Sequence, residues 1–243
     1  MSKILTILPT LNEEKNIKIL FNRIKKTKIN TDIIYIDDNS KDRTIKVIKF
    51  LIFKNKKKKI FLISNKKRLG IGRAHKDALL FAYRNKYRYV FTLDSDLAHN
   101  PKYFFKLLSL IKVNDLVIGS RFIKKNLTTE LSLIRNFLSQ SAHFMTKLLF
   151  KHSYDATNSF RCYDLKKIDK KFIYFCKSDH YDFFFSSLAY LNSKKYKIAE
   201  FPMVINKRNF GNSKMKLFHI FNSLVMIFVI FFKIKFSDKI FFK

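Results

Sequence analysis

Residues 33–40 read Ile33-Ile34-Tyr35-Ile36-Asp37-Asp38-Asn39-Ser40. Four consecutive apolar residues are the pattern of a strand covered on both faces, and paired carboxylates follow at its end. The arrangement recurs on either side: Ile4 to Leu8 leads through Pro9 to Glu13, and Tyr89 to Leu93 leads to Asp94 and Asp96. Further apolar runs of strand length lie at Ile60 to Ile63 and Leu116 to Ile118. Helical periods separate them, near 13–24, 42–53, 73–84 and 102–111. This β-α-β-α order predicts an α/β fold, a Rossmann-like and mostly parallel sheet flanked by helices. After Arg121 the pattern loosens into helices near 131–150 and 181–191 and a short strand near 198–204, and Asn55 to Lys59 reads as a solvated lysine turn.

In an open parallel sheet ligands bind beyond the carboxyl ends of the strands, so Glu13, Asp37, Asp38, Asp94 and Asp96 are expected to line one crevice. A single Asp after a strand reads first as the cap of the next helix, and that reading stays open for Asp42. Three acidic strand ends in a chain of charge +32 point instead to a bound metal or hydroxyl-rich ligand. The alternating carboxylates of Asp94-Ser95-Asp96 suit a hard cation such as Mg²⁺ or Mn²⁺, which takes few protein oxygens and completes its shell with phosphate and water.

At 243 residues, 47% hydrophobic and 28% charged, the chain has the material for one sizeable domain with at most a small appendage, and general disorder is excluded. Fifty Lys and Arg against 18 Asp and Glu favour phosphate-bearing partners. Only ten of the fifty are Arg, and Phe 28 stands beside Gly 4, Pro 3 and Trp 0, the bias of A/T-rich coding. The lysine surplus is discounted accordingly, and the surviving glycines, Gly70, Gly72, Gly119 and Gly211, become informative. Cys162 and Cys176 make neither a disulfide scaffold nor a zinc site. The six histidines show no triad or ligand spacing and read as structural or exposed. Residues 1–14 lack the features of a signal peptide, so a reducing cytoplasm is the expected compartment.

The segment Leu217 to Phe236 is nearly all apolar, but His219, Asn222 and Ser223 interrupt it and Lys233 and Lys235 close it. Even ~16 helical residues reach about 24 Å, short of the ~30 Å hydrocarbon core. A helix lying in the membrane interface is favoured over a spanning one, and over a helix packed on the domain. The expected division is a catalytic domain over 1–215 and a membrane-interface segment over 216–243.

Six segments, in order, carry a resemblance: Leu8-Pro9-Thr10-Leu11-Asn12-Glu13, Asp37 to Thr44, Arg68-Leu69-Gly70-Ile71-Gly72-Arg73-Ala74, Asp94-Ser95-Asp96, Gly119-Ser120-Arg121-Phe122, and Arg208 to Lys214. Together they resemble the family 2 glycosyltransferases, specifically the polyprenyl-phosphate sugar transferases of the dolichyl-phosphate mannosyltransferase type. The resemblance implies a GT-A-type fold and an inverting transfer of a hexose, mannose or glucose, from a nucleoside diphosphate sugar to a polyprenyl phosphate at the cytoplasmic face of the membrane. It implies that Pro9, Thr10, Asn12, Glu13, Asp37 and Asp38 hold the nucleotide, with Gly70 and Gly72 letting a turn pass close to it; a simple helix-start turn is the other reading of those glycines. Asp94 and Asp96 would hold Mg²⁺ or Mn²⁺ and the donor sugar. Arg121, Arg135, Ser139, Arg208 and Lys214 would meet the acceptor phosphate, Arg121 also acting in catalysis, while Arg135 reads equally as an exposed helix charge. An acceptor phosphate is already anionic, so no general base is required.

The chain departs from the family pattern at Leu11, where a tyrosine is usual, at Ala98 in place of a glutamine, at Asn158-Ser159 in place of Ser-Gly within Asp155 to Arg161, and at Ser186 in place of a glutamate. The short tail leaves room for a membrane-anchoring partner protein. Three readings compete with the lipid acceptor: transfer to a saccharide hydroxyl in a cell-surface polymer, which would need a general base; an inactive scaffold; and a nucleic-acid-binding protein. The last is disfavoured because no aromatic-basic module is visible.

Overall fold

The computed structural model describes residues 3–123, 140, 143–144, 147–148, 154–206, 210, 225–226, 228–230 and 232. Seven strands form one sheet: β1 (Ile4–Thr10), β2 (Asp32–Asp37), β3 (Ile60–Ser64), β4 (Tyr89–Thr92), β5 (Leu116–Ser120), β6 (Arg161–Asp164) and β7 (Ile198–Pro202). Six helices are continuous among the described residues: α1 (Glu14–Lys26), α2 (Thr44–Lys54), α3 (Ile71–Arg84), α4 (Phe104–Ile111), which follows a 3₁₀ turn at Pro101–Tyr103, α5 (Lys171–Phe175) and α6 (Asp182–Ser193). The spatial order is β3-β2-β1-β4-β6-β5-β7. β3, β2, β1 and β4 run parallel, whereas β6 lies antiparallel between β4 and β5, and β7 pairs parallel with β5.

The near-continuous apolar strands follow from helices on both faces. Side chains alternate across a strand, so Ile34 and Ile36 enter one core with α3, α5 and α6, while Ile33 and Tyr35 enter the other with α1, α2 and α4. The strand order switches direction between β1 and β4, and the register Thr10 to Asp37 to Ser64 keeps the ends of β1, β2 and β3 level. A crevice opens there for the acidic residues that follow β1, β2 and β4.

The expected strand and helix positions agree with this fold to within one to three residues at most ends. The exceptions are informative. β6 has no alternating pattern: its four residues are all buried, two of them charged. It escapes sequence reading because burial of its charged ends depends on tertiary partners as well as local ones, Asp164 accepting from Arg88 at 3.2 Å. The expected helix over 131–150 is described only at Gln140, His143, Phe144, Lys147 and Leu148, all helical. Most of the apolar tail lies outside the described residues, and among those described no helix is long and apolar enough to cross a membrane. Both cysteines are buried free thiols.

Two packing constraints give measurable consequences. A Cβ on Gly119 would overlap Met203 Sδ and Phe160 Cδ1, so Gly119→Ala should lower stability by about 1–3 kcal/mol in urea denaturation. His75 is fully enclosed, its Nε2 has no partner, and burial with the nearby Arg161 charge lowers its pKa to about 3. Because unfolded histidine binds a proton near 6.5, stability is complete above that pH and is lost as pH falls toward about 3. His75→Leu should flatten that acid limb in a series of Tm measurements.

Candidate active site

The first wall of the crevice is made of two loops that hold each other. Asn12 and Asn39, at φ +54° and +66°, turn the chain sharply after β1 and β2, a conformation asparagine tolerates better than most residues. The Asn12 N–H donates to Ser40 Oγ at 2.8 Å, and Lys41 N–H donates back to Asn12 Oδ1 at 2.7 Å. Glu13 N–H donates to Thr44 Oγ1, and Arg43 N–H to Glu14 Oε2, both at 2.8 Å. Asp42 accepts from the N–H of Thr44 at 2.9 Å and of Glu14 at 3.2 Å, so it caps its own helix and bridges to the neighbouring loop. Thr10 is buried beside Asp37, and the Glu13 carboxylate accepts from the Asn16 amide at 2.6 Å.

The two carboxylates after β2 divide their work. Asp37 is fully buried and accepts from the N–H of Ser40 at 3.0 Å and its hydroxyl at 2.5 Å. Its carboxylate shapes the crevice wall from inside, through the turn after β2. Asp38 takes the N–H groups of Leu69 at 2.7 Å and Gly70 at 2.9 Å, fixing the β3–α3 turn against β2. Gly70 has φ +104°, and a Cβ on it would overlap the Asp179 carbonyl; one on Gly72 would sit 2.5 Å from the His180 carbonyl oxygen. The close approach these glycines permit is thus to the Asp179-His180 backbone.

The second wall begins at β4. Ser95 Oγ donates to the Pro9 carbonyl at 2.8 Å, joining the end of β4 to the end of β1. Asp94 Oδ1 accepts from Ser159 Oγ at 2.7 Å, and its N–H donates to His99 Nδ1 at 3.1 Å. Asp96 is 4% exposed and accepts from the Ala98 N–H at 3.0 Å. Between them and Ala98, Leu97 takes φ +68°, a strained conformation for a branched residue and one that tends to collect at functional sites. Hard carboxylate oxygens on Asp94 and Asp96 match the chemistry of Mg²⁺ or Mn²⁺. No group of three or more metal-binding side chains exists among the described residues, so such an ion would draw its other ligands from a substrate phosphate and water.

Arg121 follows β5. Its Nε and Nη2 donate to the two oxygens of Asp155 at 2.8 and 2.6 Å, and Nη2 also reaches Thr157 Oγ1 at 2.6 Å. Nη1 is the part of the fork that neither Asp155 nor Thr157 engages. Burial pushes the Asp155 carboxyl up, but the guanidinium outweighs it and holds the group below the usual carboxylate range. The Asp155 N–H in turn donates to Glu200 Oε1 at 2.6 Å. Glu200, on β7, has its carboxyl raised to about 7 by burial and by the neighbouring Asp155 charge. The Phe122 ring stacks on His143 at 4.1 Å, which sets the helical residues near 143 beside Arg121.

The structure therefore brings Pro9, Thr10, Asn12, Glu13, Asp38, Asp94 and Asp96 to one sheet edge, with Arg121 in electrostatic reach of Asp94. Arg135, Ser139, Arg208 and Lys214, expected at the acceptor phosphate, lie outside the described residues. Sequence reading passed over His99, set aside with the other histidines although it follows Asp96 by three residues, and the parts played by Asp155, Ser159 and Glu200.

A family profile described as glycosyl transferase family 2 matches residues 6–179. Over 213 residues the chain is 24% identical to a polyprenol monophosphomannose synthase of Mycolicibacterium smegmatis, covering 87% of this chain and 80% of the relative. It is 35% identical over 123 residues to an uncharacterized protein of Methanocaldococcus jannaschii, an alignment that covers 49% of this chain and only 52% of that relative. Among solved structures, a Mycobacterium tuberculosis glucosyl-3-phosphoglycerate synthase in complex with phosphoglyceric acid superposes with TM-score 0.64 at 15% identity, covering 96% of this chain and 80% of that one. A Pyrobaculum calidifontis mannosyltransferase in complex with GDP-Man and Mn²⁺ superposes with TM-score 0.60 at 14% identity, covering 97% and 64%. At such identities the superpositions show a shared fold, while the profile covers well over half of the sequence. The chain belongs to glycosyl transferase family 2.

Proposed function

We propose that the protein transfers a hexose, mannose or glucose, from a nucleoside diphosphate sugar to a polyprenyl phosphate at the cytoplasmic face of a membrane, with inversion at the anomeric carbon. The observation that carries this reading is the pairing, at one sheet edge, of the carboxylates Asp94 and Asp96 with a guanidinium that Asp155 grips from one side only. The 87% coverage by a polyprenol monophosphomannose synthase supports the choice of acceptor.

In this reading Asn12, Glu13 and the Asp38-held turn bind the nucleotide. Asp94 and Asp96 would hold Mg²⁺ or Mn²⁺, and a divalent cation there would stabilise the negative charge of the departing diphosphate. Asp155 fixes the plane of the Arg121 fork, so that its remaining N–H groups can donate to an acceptor phosphate. One oxygen of that phosphate forms the new bond to the anomeric carbon as the bond to the nucleoside diphosphate breaks. Contact with a lipid surface is supported by the tail, where Ile230 is buried in the core while Val225, Phe228, Val229 and Phe232, at helical spacing, are exposed.

One observation favours a second reading, transfer to a saccharide hydroxyl: Glu200, raised to about 7, has the proton affinity of a general base. The two readings diverge on Glu200→Gln, whose amide oxygen can still accept from Asp155 N–H. With a phosphate acceptor, turnover at neutral pH should stay within about threefold; loss of a general base would cost about 10²–10⁴-fold.

Incubation with polyprenyl phosphate, Mn²⁺ and a panel of labelled nucleoside diphosphate sugars should give an acid-labile glycolipid, and no product with any donor would overturn the proposal. Asp96→Ala should cut that turnover by about 10²-fold or more with little change in Tm, because an electrostatic contact made to the leaving group is lost while the fold is kept.

A further inference from the structure

Arg161 opens β6 and has no exposed surface. Its Nε donates to the Asn158 carbonyl at 2.9 Å, Nη2 to the carbonyls of Ala156 at 2.8 Å and Phe184 at 2.9 Å, and Nη1 to Ser187 Oγ at 3.0 Å and, at 3.4 Å, to the Tyr163 hydroxyl. The guanidinium carbon also lies 5.3 Å from the centroid of the Phe184 ring. None of these partners is a carboxylate. Burying a charge whose hydrogen-bond partners are all neutral is costly, and an apolar residue of similar volume would avoid the cost. What an apolar residue could not do is hydrogen-bond carbonyls of two separate segments at once and so tie them together.

Those segments are α6 and the connector 155–160, and buried side chains of the connector reach the elements around the site at three points. Asp155 grips Arg121, Ser159 donates to Asp94, and the Asn158 amide donates to the Gly119 carbonyl at 2.6 Å. The backbone that carries these three side chains is held from inside by one planar fork. We propose that Arg161 is a positioning residue: by fixing the carbonyls of Ala156 and Asn158 to α6, it sets the distance between the acceptor-side cation Arg121 and the donor-side carboxylate Asp94. This rests on the transfer reading for its chemistry, but the restraint itself can be measured without substrate.

The test compares the full chain with Arg161→Lys, which keeps charge but loses the fork, Arg161→Met, which keeps volume but loses charge, Ser159→Ala and the double variant Ser159→Ala/Arg161→Met. Hydrogen exchange is followed without ligand. Both Arg161 variants should raise exchange in 155–160 by about tenfold while β1 and β2 stay protected, as expected of a local rather than a global opening. In the transfer assay kcat should fall about 100-fold, with donor KM moving far less, because misplacement of reacting groups costs rate more than ground-state binding. The double variant should lose little more than Arg161→Met alone, since both act through the Asp94 contact. Unchanged exchange in 155–160, loss of protection over the whole chain in both Arg161 variants, unchanged kcat despite an opened connector, or fully additive losses would each overturn the proposal. If the unsubstituted chain transfers sugar from no donor, the transfer reading fails, and the exchange comparison still decides whether Arg161 holds the connector.

Discussion

The fork of Arg121 on the two oxygens of Asp155 is the contact that makes one site out of two halves of the sheet. Asp155 is fully buried, so its charge is tolerable only while the guanidinium is in place, and Arg121 can aim its remaining donors only while the carboxylate fixes its plane. Through Asp155 N–H the pair reaches Glu200 on β7, and through the rest of the connector it reaches Asp94 beyond β4. The parallel half of the sheet, which supplies the acidic crevice, is thereby linked to the half that supplies the Arg121 guanidinium.

A chain with 18 acidic residues in 243 uses several of them as acceptors for its own loops. Asp37 holds the turn after β2, Asp38 takes the N–H groups of Leu69 and Gly70, and Asp42 takes those of Thr44 and Glu14. A carboxylate is suited to this because its two oxygens can satisfy several donors, and bonds to a charged acceptor are stronger than neutral ones. The crevice is therefore preorganised by residues of the same type as those expected to bind in it. Burial differs among these carboxylates: Asp37 is enclosed and Asp96 is 4% exposed, while the Asp94 side chain keeps 30% of its surface open.

β6 explains why the site is compact. Entering antiparallel between β4 and β5, it brings the connector that precedes it to the carboxyl ends of both neighbours, with Phe160 O accepting from Gly119 N–H at 2.9 Å and Ser159 O accepting from the Thr92 hydroxyl. Gly119 must lack a side chain because Phe160 and Met203 fill the space where its Cβ would stand. The departure to Asn158-Ser159 acquires a physical meaning here. The Asn158 amide bonds the Gly119 carbonyl and the Ser159 hydroxyl bonds Asp94, two contacts that a Ser-Gly pair could not make in the same way.

Local sequence determined the β-α alternation and the crevice, because strands covered on both faces must be apolar throughout and the carboxylates follow directly in the chain. It also marked Asp94, Asp96 and Arg121 for chemistry, through motifs that are contiguous. Which acids face a ligand and which brace a turn was decided only by tertiary structure, since it depends on donors such as Leu69 N–H that lie some thirty residues from Asp38. The same holds for β6, for Glu200 and for the parts played by Asp155 and Arg161: the segment Asp155 to Arg161 is legible as a motif, but burial and partners such as Arg121, Phe184 and Ser187, distant in sequence, decide what its side chains do.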